Sequence, residues 1–303
     1  MIAVGIDLGG TKIEAQIFNA DWGRVTQRRI DTPRDYPGLV AAMADQIAWA
    51  GAEAGQVLPV GIAAAGLVNP ATGLALTANL AATGRPFPAD IAAAAGRPIT
   101  YINDCRALTL SEAIFGAARG MSPAVGLILG TGIGGGVAVQ GRLVEGPATL
   151  GGEFGHFAIA AAPVVAHGLP IITCGCGQPG CTETLIAGPG LERLTKHLTR
   201  RTLSAPQITA AWRTDPDLAR VHAIWCELVA EMLKTIAFVI DPACIVIGGG
   251  MLHASGLTDD LTAALHAIQL PGFAIPDIRL AQGGDASGAR GAAYAAWQEQ
   301  HHG

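Results

Sequence analysis

Charge is the first property that this sequence has little of. Only 14% of its 303 residues are charged and half are hydrophobic, whereas about a quarter of an average soluble chain is charged. Global disorder and an extended coiled coil are therefore excluded. With a net charge of −5, the chain lacks the basic surplus that holds a polyphosphate backbone, so we expect no nucleic-acid partner. Its length favours two domains over one small module.

Apolar runs of membrane length are also lacking. The two longest uncharged stretches, 121–141 and 154–182, are interrupted by glycines and by prolines respectively, whereas a spanning helix needs about 20 predominantly apolar residues. Neither is expected to enter a membrane. The first residues carry no basic region or cleavage site of a signal peptide, so we expect a cytoplasmic protein.

Cysteine is too scarce for a disulfide framework, since the chain has only six cysteines. Three of the six lie between positions 174 and 181. In a reducing compartment such clustering indicates metal binding. Thiolates of Cys174, Cys176 and Cys181 leave one place of a tetrahedron open, and His156, in another glycine-bounded segment, is the best candidate for it. A Cys₃His set is typical of structural zinc. Free buried thiols with an unrelated histidine are the alternative.

The order of apolar segments predicts an α/β protein with two similar halves. Three short strands at 2–7, 13–19 and 25–30 open the first half, and strands at 125–129, 137–140 and 143–144 open the second. Further strands are predicted at 60–64, 98–103 and 244–247, and helices at 39–54 and 108–115. A long core helix is expected after Asp215, with an apolar stripe from Leu218 to Val239. The segment from 285 to 292 is expected to begin a final packing helix.

Two glycine-rich turns occupy equivalent places in the two halves. The first is Asp7-Leu8-Gly9-Gly10-Thr11-Lys12, and the second runs from Gly130 to Gly136. Glycine lets backbone N–H groups approach a phosphate, and a carboxylate such as that of Asp7 can hold magnesium. Ordinary hairpin turns are the alternative, but their repetition favours a nucleotide site. Neither is a Walker A loop. The glycines from Gly248 onwards, after a buried strand, are candidates to contact adenosine.

Asp104 is the candidate catalytic base. It follows Asn103 at the end of a predicted strand and the start of a helix, which is where ligands bind in α/β domains. A carboxylate there can accept a proton from a substrate hydroxyl. Capping of the helix by Asp104 is the alternative.

These motifs together resemble the ROK family of bacterial sugar kinases and repressors. The two glycine-rich turns and the Asn103-Asp104 pair are similar to its phosphate and catalytic motifs. Glu153-Phe154-Gly155-His156, and the cysteine segment ending in Glu183, are similar to its E-x-G-H and C-x-C-G-x-x-G-C-x-E signatures. The resemblance implies a two-domain actin-like ATPase and hexokinase (ribonuclease H-like) fold with an interdomain cleft. The expected domains are 1–116 joined by the helix 288–303, and 117–287 with a zinc-binding insertion at 153–183.

The resemblance also implies roles for individual residues, with Asp104 as the base. The expected sugar-binding residues are Gly66, Asn79, Asn103, Asp104, Glu153, His156 and Glu183. The expected ATP-binding residues are Asp7, Gly9, Gly10, Thr11, Lys12, Gly130, Thr131, Gly132, Gly134, Gly248 and Gly249. The expected ligands of a structural Zn²⁺ are His156, Cys174, Cys176 and Cys181. One nitrogen of His156 would bind zinc while the other faces the sugar.

The implied activity is transfer of the ATP γ-phosphoryl group, with Mg²⁺, to a sugar hydroxyl. Stretches 78–84, 186–191 and 205–208 resemble the amino-sugar kinases of the family, so the 6-hydroxyl of N-acetylglucosamine is the expected acceptor. Glucose and N-acetylmannosamine are alternative substrates, and a non-catalytic sugar sensor is the alternative class. The family's repressors carry a helix-turn-helix before the first phosphate motif. Only six residues precede Asp7 in this sequence, so we do not expect a repressor. The expected partners are ATP and a sugar, within a homodimer.

Overall fold

The computed structural model describes residues 1–284 and 287–302. Asp285 and Ala286, where the predicted final-helix segment begins, lie outside the described residues. The chain divides into two compact units. Unit 1 contains Met1–Gly116, Gly141–Gly151 and Gly283–Gly303, and unit 2 contains Ala117–Gln140 and Gly152–Gln282. Residues 141–151, which are predicted from the sequence to lie in the second domain, thus group with unit 1.

Unit 1 is built on one five-stranded sheet. Its elements are β1 Ala3–Leu8, β2 Lys12–Phe18, β3 Arg24–Asp31, α1 Tyr36–Ala54, β4 Val60–Ala64, β5 Leu67–Val68, β6 Ala75–Leu76, α2 Phe87–Ala95, β7 Thr100–Asn103 and α3 Asp104–Phe115. Later in the chain come β10 Arg142–Leu143 and α10 Ser287–His302. The strand order is β3-β2-β1-β4-β7, in which β1 to β3 are antiparallel neighbours and β4 and β7 run parallel to β1. The meander predicted from the sequence is therefore correct.

The sheet of unit 1 is covered on both faces. Alternate residues of β1, such as Ile6, pack with α1 in one hydrophobic core. On the other face α10 approaches the strands so closely that side chains at Gly5 and Gly61 would overlap the carbonyl oxygens of Ala289 and Ala292. Glycine is required at these two strand positions because it lets the helix backbone lie directly on the sheet.

The elements of unit 2 are β8 Ala124–Leu129, β9 Ile133–Val139, α4 Ala161–His167, α5 Glu183–Ile186, α6 Gly188–Thr199, α7 Ala205–Ala211, α8 Pro216–Ile240, β11 Cys244–Gly248, α9 Leu257–Ile268 and β12 Asp277–Leu280. Its strands lie in the order β9-β8-β11-β12, with β8 and β9 antiparallel and β8, β11 and β12 parallel. This repeats the arrangement of β2-β1-β4-β7 in unit 1, in line with the two similar halves that the sequence predicts. Short 3₁₀ helices span Phe154–His156 and Gly250–His253.

Helix α8 forms the centre of the unit 2 core. Asp215 caps it as predicted, accepting hydrogen bonds from the backbone N–H groups of Asp217 and Leu218. The Trp225 side chain is fully buried, and its Nε1 donates to the carbonyl of Ile186 at 2.9 Å. The predicted apolar stripe is wrong at its end, because Val239 is 75% exposed and the buried side of the helix stops at Ile236.

Two element boundaries differ from the sequence prediction in ways that affect the site. Strand β9 begins at Ile133 rather than at 137, so three glycines expected in the loop belong to the strand. The Phe154 ring lies 2.7 Å from where a Cβ of Gly135 would be, which explains a glycine inside the strand. Helix α3 begins at Asp104, four residues before the prediction. Within the described part of the chain, no helix has the length and apolar character to cross a membrane.

Candidate active site and metal cluster

The first glycine-rich turn joins β1 to β2 in unit 1. The Gly9 N–H donates to the Lys12 carbonyl at 2.9 Å, and the Thr32 hydroxyl donates to the Gly9 carbonyl at 2.7 Å. Neither Gly9 nor Gly10 has a positive φ. Position 10 instead favours glycine because a side chain would be crowded there: a Cβ at this position would lie 3.0 Å from the Cβ of Asn79. Gly10, Thr11 and Lys12 are exposed and can meet a phosphate.

Asn103 and Asp104 lie where β7 passes into α3. Asn103 is the N-cap of the helix, because its Oδ1 accepts from the backbone N–H groups of Cys105 and Arg106. Its Nδ2 donates to the carbonyl of Gly66 at 3.0 Å. The capping role considered for Asp104 thus falls chiefly to Asn103.

The Asp104 carboxylate accepts a hydrogen bond from the backbone N–H of the adjacent Cys105 at 2.9 Å. Burial raises the pKa of Asp104 above its usual range, and hydrogen bonds from Cys105 and Asn103 oppose that shift. A carboxylate with a raised pKa at the end of a parallel strand is suited to general-base work.

The second glycine-rich turn joins β8 to β9 in unit 2. It is short, with Gly130 N–H donating to the Gly132 carbonyl at 3.1 Å. Gly134, predicted as an ATP contact, lies inside β9, whereas Gly130 and Thr131 line a cavity of about 470 Å³.

Other residues that line this cavity are not among the predicted ATP contacts. Its remaining lining residues are Gly188, Pro189, Glu192, Ala205, Pro206, Thr209, Gly250 and Met251. Gly248 ends β11 and Gly249 packs against the Leu129 carbonyl, so the following Gly250 and Met251 face the cavity instead. The missed signal is a proline in the first turn of both α6 and α7, which marks where two helices begin beside the cavity.

The cysteine segment and His156 meet in unit 2 as predicted. The four ligand atoms of His156, Cys174, Cys176 and Cys181 all lie within 4.8 Å of one another. The sulfurs of Cys176 and Cys181 are 3.6 Å apart, and His156 Nδ1 is 3.7 Å from the Cys174 sulfur. Sulfurs about 2.3 Å from a tetrahedral zinc ion are about 3.8 Å apart. The chain therefore carries a Cys/His cluster with the spacing of a metal site.

Two glutamates border this cluster. Glu183 begins α5, and its Oε1 accepts from the Cys174 thiol at 3.0 Å while Oε2 lies 3.4 Å from the Ile133 N–H. Glu153 Oε2 lies 3.9 Å from His156 Nε2, the imidazole nitrogen that does not face the cysteines. Burial raises the pKa of the Cys174 thiol to about 12. The three predicted sugar ligands of unit 2 are thus brought together beside the cluster.

The remaining predicted sugar ligands lie in unit 1. Gly66 follows β4 and has a φ of 103°, which favours glycine. Asn79 is exposed in the loop after β6. Unit 1 therefore combines a phosphate-type turn, a half-buried carboxylate and an exposed amide. Unit 2 combines a second turn, a cavity and the Cys/His cluster with its two glutamates.

Comparisons with known proteins agree with this chemistry. The model of the ROK family matches residues 3–299. The chain is 37% identical to an N-acetylgalactosamine kinase of Shewanella sp. strain ANA-3, over 95% of this chain and 94% of that protein. It is also 37% identical to the N-acetyl-D-glucosamine kinase of Pectobacterium atrosepticum, over 95% of this chain and 97% of that protein.

A solved structure of high similarity is the ROK hexokinase from Thermus thermophilus. The two chains superpose with a TM-score of 0.89 at 32% identity, and the match covers 100% of both. The predicted two-domain actin-like ATPase fold is thereby confirmed.

Proposed function

Because the chain belongs to the ROK family, we propose that it phosphorylates N-acetyl-D-glucosamine at the 6-hydroxyl, using ATP. The observation that carries the kinase assignment is Asp104, a carboxylate of raised pKa at the end of β7 whose expected capping role is performed by Asn103. The amino sugar is supported by the names of relatives that match along nearly the whole chain.

N-acetylgalactosamine is the second candidate substrate. The Shewanella relative is named for that sugar and is as similar to the chain as the Pectobacterium relative. The two sugars differ only in the orientation of the 4-hydroxyl. Glucose and N-acetylmannosamine remain less favoured alternatives, since they lack the 2-acetamido group in that configuration.

Catalysis would depend on Asp104. In our proposal its carboxylate accepts the proton of the attacking 6-hydroxyl, and the resulting nucleophile forms the new bond to the γ-phosphorus as the bond to ADP breaks. Asn79, Asn103 and Gly66 of unit 1 would bind the sugar, as would Glu153, His156 and Glu183 of unit 2. Phosphoryl transfer otherwise needs positioning and charge stabilisation.

The nucleotide would be held by the two glycine-rich turns. Residues Gly9 to Lys12 and Gly130 to Gly132 offer backbone N–H groups to phosphates, and the cavity beside Thr131, Pro189 and Pro206 has the size and apolar walls for an adenosine group. Asp7 offers the hard carboxylate oxygen that Mg²⁺ prefers. When bound with ATP, Mg²⁺ would neutralise charge on the phosphates.

Zinc is proposed as the ion of the Cys/His cluster, in a structural role. The four protein ligands fill a tetrahedron, so no position is left for a water. Zinc-bound thiolates carry no proton, so Glu183 Oε1 would lose its present donor, the Cys174 thiol, and could accept from a sugar hydroxyl instead. His156 Nε2 would keep its place beside Glu153 and face the substrate.

A sugar panel tests the proposal. ADP release should be measured with N-acetylglucosamine, N-acetylgalactosamine, N-acetylmannosamine and glucose at varied concentration, with ATP and Mg²⁺. We expect the highest kcat/KM for N-acetylglucosamine. A higher value for N-acetylgalactosamine would reassign the substrate, and sugar binding without turnover would favour a sugar sensor. The homodimer, also proposed, is tested by light scattering on the same sample.

A further inference from the structure

The loop between β6 and α2, residues 77–84, is a closed unit of its own. At its base the Ala75 N–H donates to the Arg85 carbonyl at 2.9 Å, and the Gly84 N–H donates to the Ala75 carbonyl at 2.8 Å. Leu80 and Ala82 are buried in the unit 1 core. The loop is thus anchored on the C-terminal side of Asn79 by apolar packing and at its base by backbone hydrogen bonds.

One side chain closes the loop internally. The Thr83 hydroxyl accepts from the Thr77 N–H at 3.0 Å and donates to the Thr77 carbonyl at 2.7 Å. The Thr77 hydroxyl in turn donates to the Leu80 carbonyl at 2.9 Å. Both backbone groups of Thr77 therefore depend on a single hydroxyl six residues away. A valine at position 83 would have nearly the same shape but could make neither bond.

The closed loop lies between two parts of the candidate site. At one end, the turn at Gly66 packs so tightly on the loop that a Cβ there would lie 3.0 Å from the Thr77 Cα. Asn103, the neighbour of Asp104, fixes the carbonyl of that same glycine. At the other end Asn79 packs on Gly10 of the first glycine-rich turn. The position of Thr77 is therefore tied to that of the candidate base.

We propose that Thr83 is a positioning residue for the sugar, acting through Asn79. The Asn79 side chain is exposed and makes no hydrogen bond within the described part of the chain, so its amide is available to a ligand, and only the loop holds it in place. Pre-ordering the loop removes an entropy cost that binding would otherwise carry. This inference rests on the proposed function, since it assigns Asn79 to the sugar.

The test uses three variants of the whole chain. Thr83→Val removes both bonds to the Thr77 backbone, together with the 3.1 Å contact between the two hydroxyls. It should raise the sugar KM about tenfold, because at least two neutral hydrogen bonds are lost. The ATP KM and kcat should change less than about threefold. Thr83→Ser keeps the hydroxyl and should restore the sugar KM. Thr72→Val is the control, since the Thr72 hydroxyl accepts from the Leu74 N–H, at 3.3 Å, in the neighbouring turn and makes no bond to the loop among the residues that the structure describes.

A double variant separates positioning from general destabilisation. If Thr83 acts through Asn79, then Thr83→Val should raise the sugar KM less than about twofold when Asn79→Ala is already present. The same tenfold rise in both backgrounds would overturn the inference, as would an unchanged sugar KM in Thr83→Val alone. If that variant does not fold by circular dichroism, Thr77→Val should raise the sugar KM about threefold. It loses the bond to Leu80 and the 3.1 Å contact between the Thr77 and Thr83 hydroxyls, but keeps both bonds from Thr83 to the Thr77 backbone.

Failure of the inference is distinguishable from failure of the proposed function. An active wild type whose sugar KM is insensitive to Thr83→Val contradicts the inference alone. A wild type that phosphorylates none of the four sugars contradicts the proposed function and the inference with it.

Discussion

Replacing Asp104 by asparagine tests the proposed base directly. The substitution keeps the shape of the side chain and an oxygen that can accept from the Cys105 N–H, as Oδ1 does now at 2.9 Å. It removes the ability to take a proton. Because loss of a general base typically costs 100-fold to 10,000-fold, we expect kcat to fall by about that factor while the sugar KM changes little.

The structure also indicates how little stability this change should cost. Asn103 supplies the N-cap of α3, with Oδ1 bonded to two backbone N–H groups, and it is untouched. A negative charge in the first turn of a helix contributes about 0.3–1 kcal/mol, and the desolvation that raises the Asp104 pKa opposes this gain. We therefore expect a change in unfolding free energy below about 1 kcal/mol, or roughly 2–4 °C in Tm.

The assay couples ADP release to a dye signal, at saturating ATP and varied sugar, with the melting temperature measured on the same sample. Asp217→Asn is the matched control, because it also removes a carboxylate from the first turn of a helix, α8, where the side chain is exposed. That variant should keep the wild-type kcat. Retention of more than about a tenth of kcat in Asp104→Asn would refute the base assignment.

The pH profile of the wild type is an independent part of the same prediction. A general base must be ionised, so the rate falls on the acid side as the base is protonated. Since burial raises the pKa of Asp104 above 3.8, the half-maximal point of kcat/KM on the acid limb should lie above that pH. An acid limb centred below it would contradict the burial argument.

Three further predictions concern other parts of the chain. Cys176→Ser should lose the copurified zinc and raise the sugar KM more than the ATP KM, whereas Cys244→Ala in β11 should keep one zinc per chain. Elemental analysis measures the zinc content, and activity at varied sugar and ATP concentrations gives the two KM values. Burial lowers the pKa of His222, so as the pH falls the histidine is protonated in the unfolded state before it is protonated in the folded state. The free energy of unfolding should therefore decrease as the pH drops below about 6.5. In urea titrations at several pH values, His222→Phe should show a smaller decrease. Gly61→Ala should give insoluble or strongly destabilised protein, because its Cβ overlaps the Ala292 carbonyl of α10; expression and melting measurements check this.

The sequence by itself determined the family and the topology of each unit. The glycine-rich turns, the Asn103-Asp104 pair and the cysteine segment are local motifs whose residue types and order are visible without coordinates. Strand patterns also predicted the meander of unit 1 and the antiparallel pair that opens unit 2, because apolar runs and the glycines between them are local features. Likewise, Asp215 before Pro216 was enough to locate the start of α8.

Tertiary packing decided what these motifs could not. The three glycines from Gly134 to Gly136 are predicted to lie in a loop, yet they belong to strand β9. A strand needs glycine where a neighbouring group packs directly on its backbone, as the Phe154 ring does on Gly135, and the sequence does not show that contact. Asn103 rather than Asp104 caps α3, because the backbone geometry at the end of β7 determines which side chain reaches the free N–H groups of the helix. The cavity beside α6 and α7 could not be predicted because its walls come from segments far apart in the sequence. Local patterns specify elements, whereas burial, helix capping and cavities depend on contacts that exist only after those elements pack.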